Sequence, residues 1–282
     1  MPRVVLINDT SLFSRHFGCQ LVGQVFREQF KRVGLDLVLS LPKIFCLQDY
    51  EEELSNVDLL IVNGEGSIHH GRNAHLIDFA LRYPTVLLNA TYEGNPKSVA
   101  LSKLLFISVR ESYSATEIRH QGVDCQVAPD VIFNSSFIKS FPRGKPCREF
   151  GVTDNVVKEY VGKWPFRRKF KSDLKANGLT PAEYLNEICS YRSMCVGRFH
   201  AAVVCSVLNI PFSSWDSNTW KTRGMMEDMG LGHLHFPSRQ EAMAHIPVTS
   251  SENMQKFVLQ ARVLIEDMFD KVKNLAYQQM KK

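Results

Sequence analysis

The feature that most constrains the fold is an alternation of short apolar runs with helical stretches along the first 135 residues. Runs rich in leucine and β-branched residues, separated by helices, are typical of a mostly parallel sheet covered by helices. The predicted strands are 4–8, 35–39, 58–62, 85–88, 106–109 and 125–127. The sequence therefore predicts an α/β fold built from βαβ units.

The alternation stops between about residues 141 and 178, where prolines and charged residues dominate, with one short strand predicted at 150–153. It resumes with a helix start at Thr180 and Pro181, because threonine caps helices and proline fits their first turn. Helices are predicted at 181–190, 200–208 and 218–229, strands at 193–196 and 210–214, and a long terminal helix at 252–278. We therefore predict an N-terminal domain over 1–138, a basic linker over 139–178 and a shortened C-terminal domain over 179–282.

Composition narrows the class of protein without choosing a partner. The chain has 44% hydrophobic and 22% charged residues, as expected of a globular protein, and a net charge of +5 that favours anionic partners. Seven cysteines without a Cys-x-x-Cys pair predict reduced thiols rather than a disulfide framework. No apolar stretch is long enough to span a bilayer, so we predict no membrane insertion and a cytoplasmic protein.

Parallel sheets bind ligands at the carboxyl ends of their strands, so the segments after the predicted strands are the places to look for function. The first such segment holds Asn8, Asp9 and Thr10 and leads to Gly18 at the start of a helix. A helix N-terminus with a nearby glycine offers backbone N–H groups to an anion or a sugar hydroxyl. Plain turn formation is the alternative.

The second segment is unusually dense in titratable side chains and is predicted to be a glycine-rich turn. Alternating glycines let a ligand approach the backbone, and the carboxylate and imidazoles can move protons. Adjacent histidines point in different directions and no third ligand is evident, so a metal site is not predicted. An ordinary polar turn is the alternative. The residues concerned are Asn63, Gly64, Glu65, Gly66, Ser67, His69 and His70.

Arg110 follows the predicted strand 106–109 at the start of a helix, where an anion would bind. An ion pair at the start of the helix, with Glu111 or a neighbour, explains the same residue equally well. Asp130 follows the next strand, and a simple turn is the alternative there.

The stretch Cys-Val-Gly-Arg-Phe-His-Ala-Ala at 195–202 places Gly197, Arg198 and His200 between a buried strand and a buried helix. Arginine offers a planar fork of donors to phosphate or carboxylate oxygens, and an unpaired charge here would be costly. An anionic ligand would supply the partner; an internal carboxylate is the alternative. Lys221 and Arg223 follow the next strand and extend the predicted anion site, with solvated helix charges as the alternative.

Two long stretches resemble the polysaccharide pyruvyl transferase family. One is FISVRESYSATEIRHQGVDCQVAPDVIF from Phe106, and the other is VGRFHAAVVCSVLNIPFSSWDSNTWKTRGMMEDMGL from Val196. Members of that family show Arg-Asp/Glu, Ser, a helix, Gly-Val and Pro-Asp, then Arg-x-His-Ala and Gly/Asn-Ile-Pro. The resemblance covers roughly residues 5 to 231. The chain departs from the family pattern at Glu65, which interrupts the usual glycine run.

The resemblance implies two Rossmann-like domains facing across a cleft, as in GT-B glycosyltransferases. It also implies transfer of a pyruvyl group from phosphoenolpyruvate to sugar hydroxyls, without a metal or other cofactor. On this interpretation the donor is held by Gly197, Arg198, His200, Arg110, Lys221 and Arg223. The candidate bases are Asp9, Glu65, His69 and His70, and the acceptor side includes Asn8, Thr10, Asn63, Gly64, Gly66 and Ser67.

Two other functions stay open at this point. A glycosyltransferase would use the same fold and cation to hold the diphosphate of a nucleotide sugar, with a glycan or a modified DNA base as acceptor. DNA binding is suggested by the basic and aromatic run at 163–171, which could contact phosphates and stack on bases. A solvated linker is the alternative for that run.

Overall fold

A computed structural model describes residues 1–157 and 174–281. The chain divides into two compact units. The first contains 1–14, 19–135 and the chain from 259 onward, and the second contains 15–18 and 136–258. The predicted domain boundaries and the predicted cleft stay predictions.

The first unit is built on a six-stranded parallel sheet in the order β2-β1-β3-β4-β5-β6. The predicted α/β fold is confirmed. Each strand predicted in the first 135 residues is present; β5 has the predicted ends and the other strands have shifted ends. The strands are β1 Arg3–Ile7, β2 Asp36–Leu41, β3 Leu59–His69, β4 Thr85–Glu93, β5 Phe106–Val109 and β6 Gln126–Val127.

Strand β3 corrects the prediction of a glycine-rich turn from Asn63. The strand continues through His69, because β4 extends equally far and pairs with it from Glu65 to His69, with a register shift on the way. Gly64 packs directly on β4, where a Cβ atom would lie 2.4 Å from the Cβ of Ala90. The glycine therefore serves close contact between strands, and the chain turns only after His69.

The second unit is built on a four-stranded parallel sheet in the order β10-β9-β8-β7. Strand β7 lies in the range predicted as a linker, where the sequence predicted one short strand. It pairs with β8 along most of its length, and its Val152 packs against the hydrophobic core of this unit. The strands are β7 Arg148–Asn155, β8 Tyr191–Gly197, β9 Phe212–Trp215 and β10 His235–Phe236.

Helix starts follow the capping signals in the sequence. Thr180 and Glu183 form a capping box ahead of Pro181, and Glu111 caps the helix after β5 by accepting from the backbone N–H of Ser114. The helices are α1 Phe17–Val33, α2 Glu51–Ser55, α3 His75–Asp78, α4 Ser112–His120, α5 Ser136–Ser140, α6 Pro181–Cys189, α7 Phe199–Val207, α8 Lys221–Asp228, α9 Arg239–Ala244 and α10 Glu252–Gln279.

Strand order locates the ligand-binding edge of the first sheet. Strand β1 connects through α1 to β2 on one side, and β3 pairs with β1 on the other side, so the order reverses between β1 and β3. Ligands of open α/β sheets bind at the carboxyl ends beside such a reversal. Asn8 and Asn63 lie at this position.

None of the helices in the described ranges is both long enough and apolar enough to cross a bilayer.

Candidate functional site

Buried asparagines connect the carboxyl ends of β1, β3 and β4 in the first unit. The Asn8 Nδ2 donates to the Asn63 carbonyl oxygen at 2.5 Å, and the Asn63 Nδ2 donates back to the Asn8 carbonyl oxygen at 3.2 Å. The Asn89 Nδ2 donates to the Asn63 Oδ1 at 3.2 Å, and its Oδ1 accepts from the backbone N–H of Val131. We call these asparagines and Glu65 the first-sheet cluster.

Three residues of the first-sheet cluster have a left-handed backbone conformation. The φ angles are 59° at Asn8, 40° at Glu65 and 56° at Asn89. Asparagine tolerates this region, whereas glutamate does so at a cost in free energy. Backbone strain of this kind is concentrated at functional sites, so the carboxyl edge of β1, β3 and β4 is the candidate site of the first unit.

Glu65, one of the predicted bases, lies in the middle of this edge. Its side chain is 6% exposed overall, and its Oε1 accepts from the Cys19 thiol at 3.4 Å. The Asn63 Nδ2 lies 3.5 Å from its Oε2. Burial, and next the Glu65 charge, raise the pKa of the Cys19 thiol, so the thiol stays protonated and acts as a donor.

The other predicted bases, Asp9, His69 and His70, also interact with neighbouring side chains. Asp9 forms an ion pair with Arg27 at 2.6 Å and accepts from the backbone N–H and hydroxyl of Ser11. The Nδ1 atoms of His69 and His70 lie 3.0 Å apart, and the His70 Nε2 lies 3.7 Å from the Glu93 Oε1. Within the described residues, His, Cys, Asp and Glu form no group suited to a metal ion.

The predicted acceptor-side residues lie along the same edge. The Ser67 hydroxyl accepts from the Asn8 Nδ2 at 3.3 Å, and its carbonyl oxygen accepts from Asn73. Gly66 is half-buried beside it in β3, and Thr10 follows Asp9 in the loop after β1. Their roles toward an acceptor stay predictions.

Arg110 lies deep in the first unit, at 1% exposed. Its Nη1 bonds to the Asp130 Oδ2 at 2.9 Å, and its Nη2 and Nε bond to the Thr91 hydroxyl at 2.5 and 3.2 Å. Arg110 therefore forms a buried ion pair with Asp130. The guanidinium would have to leave Asp130 to reach a ligand, and its predicted role as a second donor clamp stays untested.

The second unit brings Gly197, Arg198 and His200 together at the carboxyl end of β8. The Gly197 N–H donates to the Thr153 hydroxyl at 2.9 Å, and a Cβ atom on Gly197 would lie 2.3 Å from the Trp215 ring. Only glycine fits there, so the chain can pass the tryptophan and turn into α7. We call Arg198, His200, Asp154 and His16 the second-sheet cluster.

Arg198 forms a two-point ion pair with Asp154 at the end of β7. The Nε lies 3.0 Å from Oδ1 and the Nη2 lies 2.5 Å from Oδ2, with side-chain exposures of 15% and 23%. The internal carboxylate considered from the sequence is therefore present. The pair is not sealed from solvent, and it uses one edge of the guanidinium.

The predicted cations after β9 also have partners within the second unit. The Lys221 Nζ donates to the Asn218 Oδ1 and the Thr219 hydroxyl, both at 2.8 Å. The Arg223 Nη2 lies 3.0 and 2.9 Å from the two Asp216 carboxylate oxygens. Their predicted contacts with a donor stay predictions.

His235 joins Asp216 to β9. Its Nε2 lies 3.0 Å from the Asp216 Oδ1, and its Nδ1 lies 2.8 Å from the Ser214 hydroxyl. Burial lowers the pKa of His235, against the opposing effect of Asp216, so the imidazole favours its neutral form.

Comparison with known proteins identifies the family. The polysaccharide pyruvyl transferase family matches residues 5–214, which is more than half of the 282 residues. The chain belongs to this family. The resemblance and the predicted enzyme class, a transferase, are thereby confirmed, and the family indicates a transferase that modifies polysaccharides.

Structural comparison gives two further similarities. An uncharacterised protein from Klebsiella pneumoniae is 14% identical with a TM-score of 0.60, covering 84% of this chain and 93% of its own. The UDP-GlcNAc 2-epimerase from Methanocaldococcus jannaschii is 8% identical with a TM-score of 0.48, covering 92% and 98%. The first similarity supports the fold. A comparison with curated proteins gives no match.

Backbone conformation explains two local features of the polysaccharide pyruvyl transferase pattern in this chain. Asn209 opens the Asn-Ile-Pro motif with a φ of 55°, which explains why the motif takes glycine or asparagine there. Glu65 interrupts the glycine run of this transferase family at a left-handed position, where glycine would be unstrained. Both motifs are therefore fixed by backbone conformation.

Sequence reasoning missed Asp154, Asn89 and His16. Asp154 follows the short strand predicted at 150–153, but nothing in the sequence indicates that it pairs with Arg198, which is 44 positions away. Asn89 directly follows the predicted strand 85–88, and an asparagine at that position was an available signal. His16 belongs to no motif that would have marked it as a site residue. The basic run at 163–171 lies outside the described residues.

One surface groove of the first unit is lined by residues outside the first-sheet cluster. This groove, of about 540 Å³, is formed by the loop after β1 and the exposed face of α1. Its lining residues are Ser11, Gln20, Gln24, Arg27, Glu28 and Lys31. Except for Ser11, these side chains lie on one face of α1.

Proposed function

We propose that the chain transfers a pyruvyl group from a phosphoenolpyruvate-like donor to hydroxyls of a sugar or glycoside. Arg198 and His200 bind the donor. Family membership supports the reaction class. The observation that carries the donor assignment is the position of Arg198, which lies at the carboxyl end of β8 with one edge of its guanidinium held by Asp154.

Asp154 orients the guanidinium without using all of its donors. A guanidinium carries five N–H donors, and the two-point pair engages the Nε edge. Within residues 1–157 and 174–281, the hydrogen bonds of the Arg198 side chain are those to Asp154, so the Nη1 edge is available to a ligand. Arginine with one edge fixed is suited to two-point binding of phosphate or carboxylate oxygens.

Helix α7 adds a second favourable feature for an anion. It begins directly after Arg198, whose side chain makes no capping bond, and His200 lies in its first turn at 7% exposed. The first-turn N–H groups and the positive end of the helix dipole favour negative charge. An anionic donor at Arg198 would lie at this end of the helix.

The reaction needs proton transfer as well as charge stabilisation. A sugar hydroxyl adds to the enol carbon of the donor, the methylene carbon gains a proton, and phosphate leaves as a second hydroxyl completes the ketal. Each hydroxyl loses its proton, one proton going to the methyl group and one to the phosphate. We assign Glu65 as the base for a hydroxyl, since the Asp9 carboxylate is held by Arg27 and Ser11.

Thermal unfolding with candidate donors tests the proposal. Phosphoenolpyruvate, UDP and CMP are each added to the wild type and to Arg198→Ala. A ligand present at about 100 times its Kd stabilises by about 2.7 kcal/mol, which is a clear rise in Tm. We expect phosphoenolpyruvate to raise the Tm of the wild type and not that of Arg198→Ala.

Arg192→Ala is the matched control, because Arg192 lies on the same strand with a 65% exposed side chain paired to Glu149. This variant should respond to phosphoenolpyruvate as the wild type does. A response to UDP or CMP alone would replace the pyruvyl donor with a nucleotide sugar and make the chain a glycosyltransferase. No response to any of the three would contradict the anion site.

A further inference from the structure

The segment 15–18 belongs to the second unit, although it follows β1 in the sequence. The Phe17 N–H donates to the Ala176 carbonyl oxygen at 3.1 Å, and the Gly178 N–H donates to the Arg15 carbonyl oxygen at 3.0 Å. His16 pairs with Asn177 in an antiparallel bridge between these bonds. The backbone of His16 is therefore held on both sides.

Aromatic packing fixes the same segment against the second unit. The Phe17 ring stacks on Tyr184 with centroids 3.5 Å apart, and the His16 ring stacks on Phe17 with centroids 5.2 Å apart. Tyr184 is completely buried. The position of the His16 ring is thus set by backbone bonds and by a buried aromatic stack.

His16 lies beside the residues assigned to the donor. Its ring meets the His200 ring edge to face, with centroids 5.5 Å apart. A Cβ atom on Gly18 would lie 2.0 Å from the His200 Nδ1, so only glycine lets the segment pack this closely. The glycine after His16 is therefore required for contact with His200.

Hydrogen bonding determines where His16 carries its proton. The Gly18 N–H donates to the His16 Nδ1 at 3.1 Å, so the neutral ring has its proton on Nε2. Burial, then His200 and Arg198, lower the pKa of His16 to about 3. The residues whose electrostatic effect lowers this pKa are His200 and Arg198, and Arg198 is itself paired with Asp154. His16 therefore stays neutral at physiological pH.

We propose that His16 is a third residue of the donor site, donating its Nε2–H to a phosphate or carboxylate oxygen of an anion bound beside Arg198 and His200. This inference rests on the proposed function. A neutral donor adds a hydrogen bond without placing another positive charge next to Arg198, which would repel it. Anion binding offsets the charge of Arg198, so it should raise the pKa of His16.

NMR titration of the histidine rings tests the inference on the whole chain, with inorganic phosphate and phosphoenolpyruvate as separate probes. His16→Gln assigns the His16 signal by its loss. Without an anion, the His16 signal should not titrate between pH 5 and 8. With either anion we expect the signal to shift and its pKa to rise.

Affinity measurements on two variants separate a binding role from a structural role. His16→Phe keeps the stacked ring and removes the N–H donor, so the Kd for phosphoenolpyruvate should rise about tenfold or more. His16→Gln keeps an amide N–H, so the loss should be clearly smaller. His233→Phe, at an exposed position in a short 3-10 helix, is the control and should bind as the wild type does.

The outcomes distinguish the two proposals. Equal binding of phosphoenolpyruvate by the wild type and His16→Phe, with loss in Arg198→Ala, would overturn the role of His16 and leave the donor site standing. Absence of phosphoenolpyruvate binding to the wild type would overturn the proposed donor. In that case the titration with inorganic phosphate decides the role of His16. A His16 signal that does not shift on adding phosphate would overturn that role, and a signal that shifts would support it.

Discussion

Residues at the carboxyl ends of β1, β3 and β4 show how local conformation and chemistry are combined. Asn8 and Asn89 occupy left-handed backbone that asparagine tolerates, and their amides connect the strands. Glu65 occupies the same region without that tolerance, and it provides a carboxylate instead. The strain at Glu65 is therefore the cost of placing an acid where the family has glycine.

Substitution at Glu65 measures that cost. In an ordinary strand, glycine is less stable than alanine by about 0.5–1 kcal/mol. At a φ of 40° we expect the reverse, with Glu65→Gly more stable than Glu65→Ala by about 1 kcal/mol. Urea unfolding of the two variants checks this difference, and both should lose transferase activity if Glu65 is the base. An alanine variant as stable as the glycine variant would show that the backbone is not strained.

The neutral state of His16 predicts a pH dependence of stability. The pKa is lowered from 6.5 to about 3 in the folded chain. The unfolded chain therefore binds a proton that the folded chain does not, and stability falls as the pH drops from about 6.5 toward 3. Between pH 7.5 and 5 this group should cost about 1–2 kcal/mol.

His16→Gln removes that titration. The free energy of unfolding, measured in urea at pH 7.5 and at pH 5, should fall less in the variant than in the wild type. The comparison cancels the other groups that titrate in this range. Equal losses in the two proteins would mean that His16 is protonated in the folded state.

At the scale of elements, the first part of strand β3 could be predicted from the sequence and its second part could not. The apolar run up to Val62 predicted the strand, because buried parallel strands are rich in such residues. The continuation to His69 depends on pairing with β4, and glycine and asparagine carry no strand signal. The sequence therefore predicted most residues of the first-sheet cluster, but it predicted a turn from Asn63 where the structure has a strand.

Contacts between residues that are distant in sequence could not be predicted either. Asp154 and Arg198 are 44 positions apart, and the sequence indicated that the guanidinium needs an anion without indicating which one. Helix starts, in contrast, were predictable, because the capping box at Thr180 depends on residues three positions apart.

Gly64 tests the close packing of β3 on β4. A Cβ atom there would lie 2.4 Å from the Ala90 Cβ and 2.8 Å from its Cα. Since the obstacle includes backbone, Gly64→Ala should destabilise the chain by about 1–3 kcal/mol in urea unfolding. Gly144→Ala, where a Cβ atom meets nothing within 4 Å, is the control and should change little. Equal stabilities would show that the strands separate freely.

At the scale of the whole molecule, the last helix extends the fold beyond the family match. The match ends at residue 214, yet the chain from 259 onward belongs to the first unit. The Phe269 ring lies 5.6 Å from the Phe26 ring and 5.9 Å from the Phe30 ring, between centroids. Arg32 of α1 also pairs with Asp270 at 3.2 Å. The terminal helix therefore supplies part of the first unit's core.

This packing predicts that α10 stabilises the unit that carries Glu65. Phe269 is completely buried, so Phe269→Ala should cost about 3–5 kcal/mol in urea unfolding. Leu259→Ala is the matched control on the same helix, where the side chain is 62% exposed, and it should change stability by less than about 0.5 kcal/mol. Since hydrogen exchange reports local opening, the amides of α1 should lose protection in Phe269→Ala. Unchanged protection there would mean that α10 and α1 fold independently.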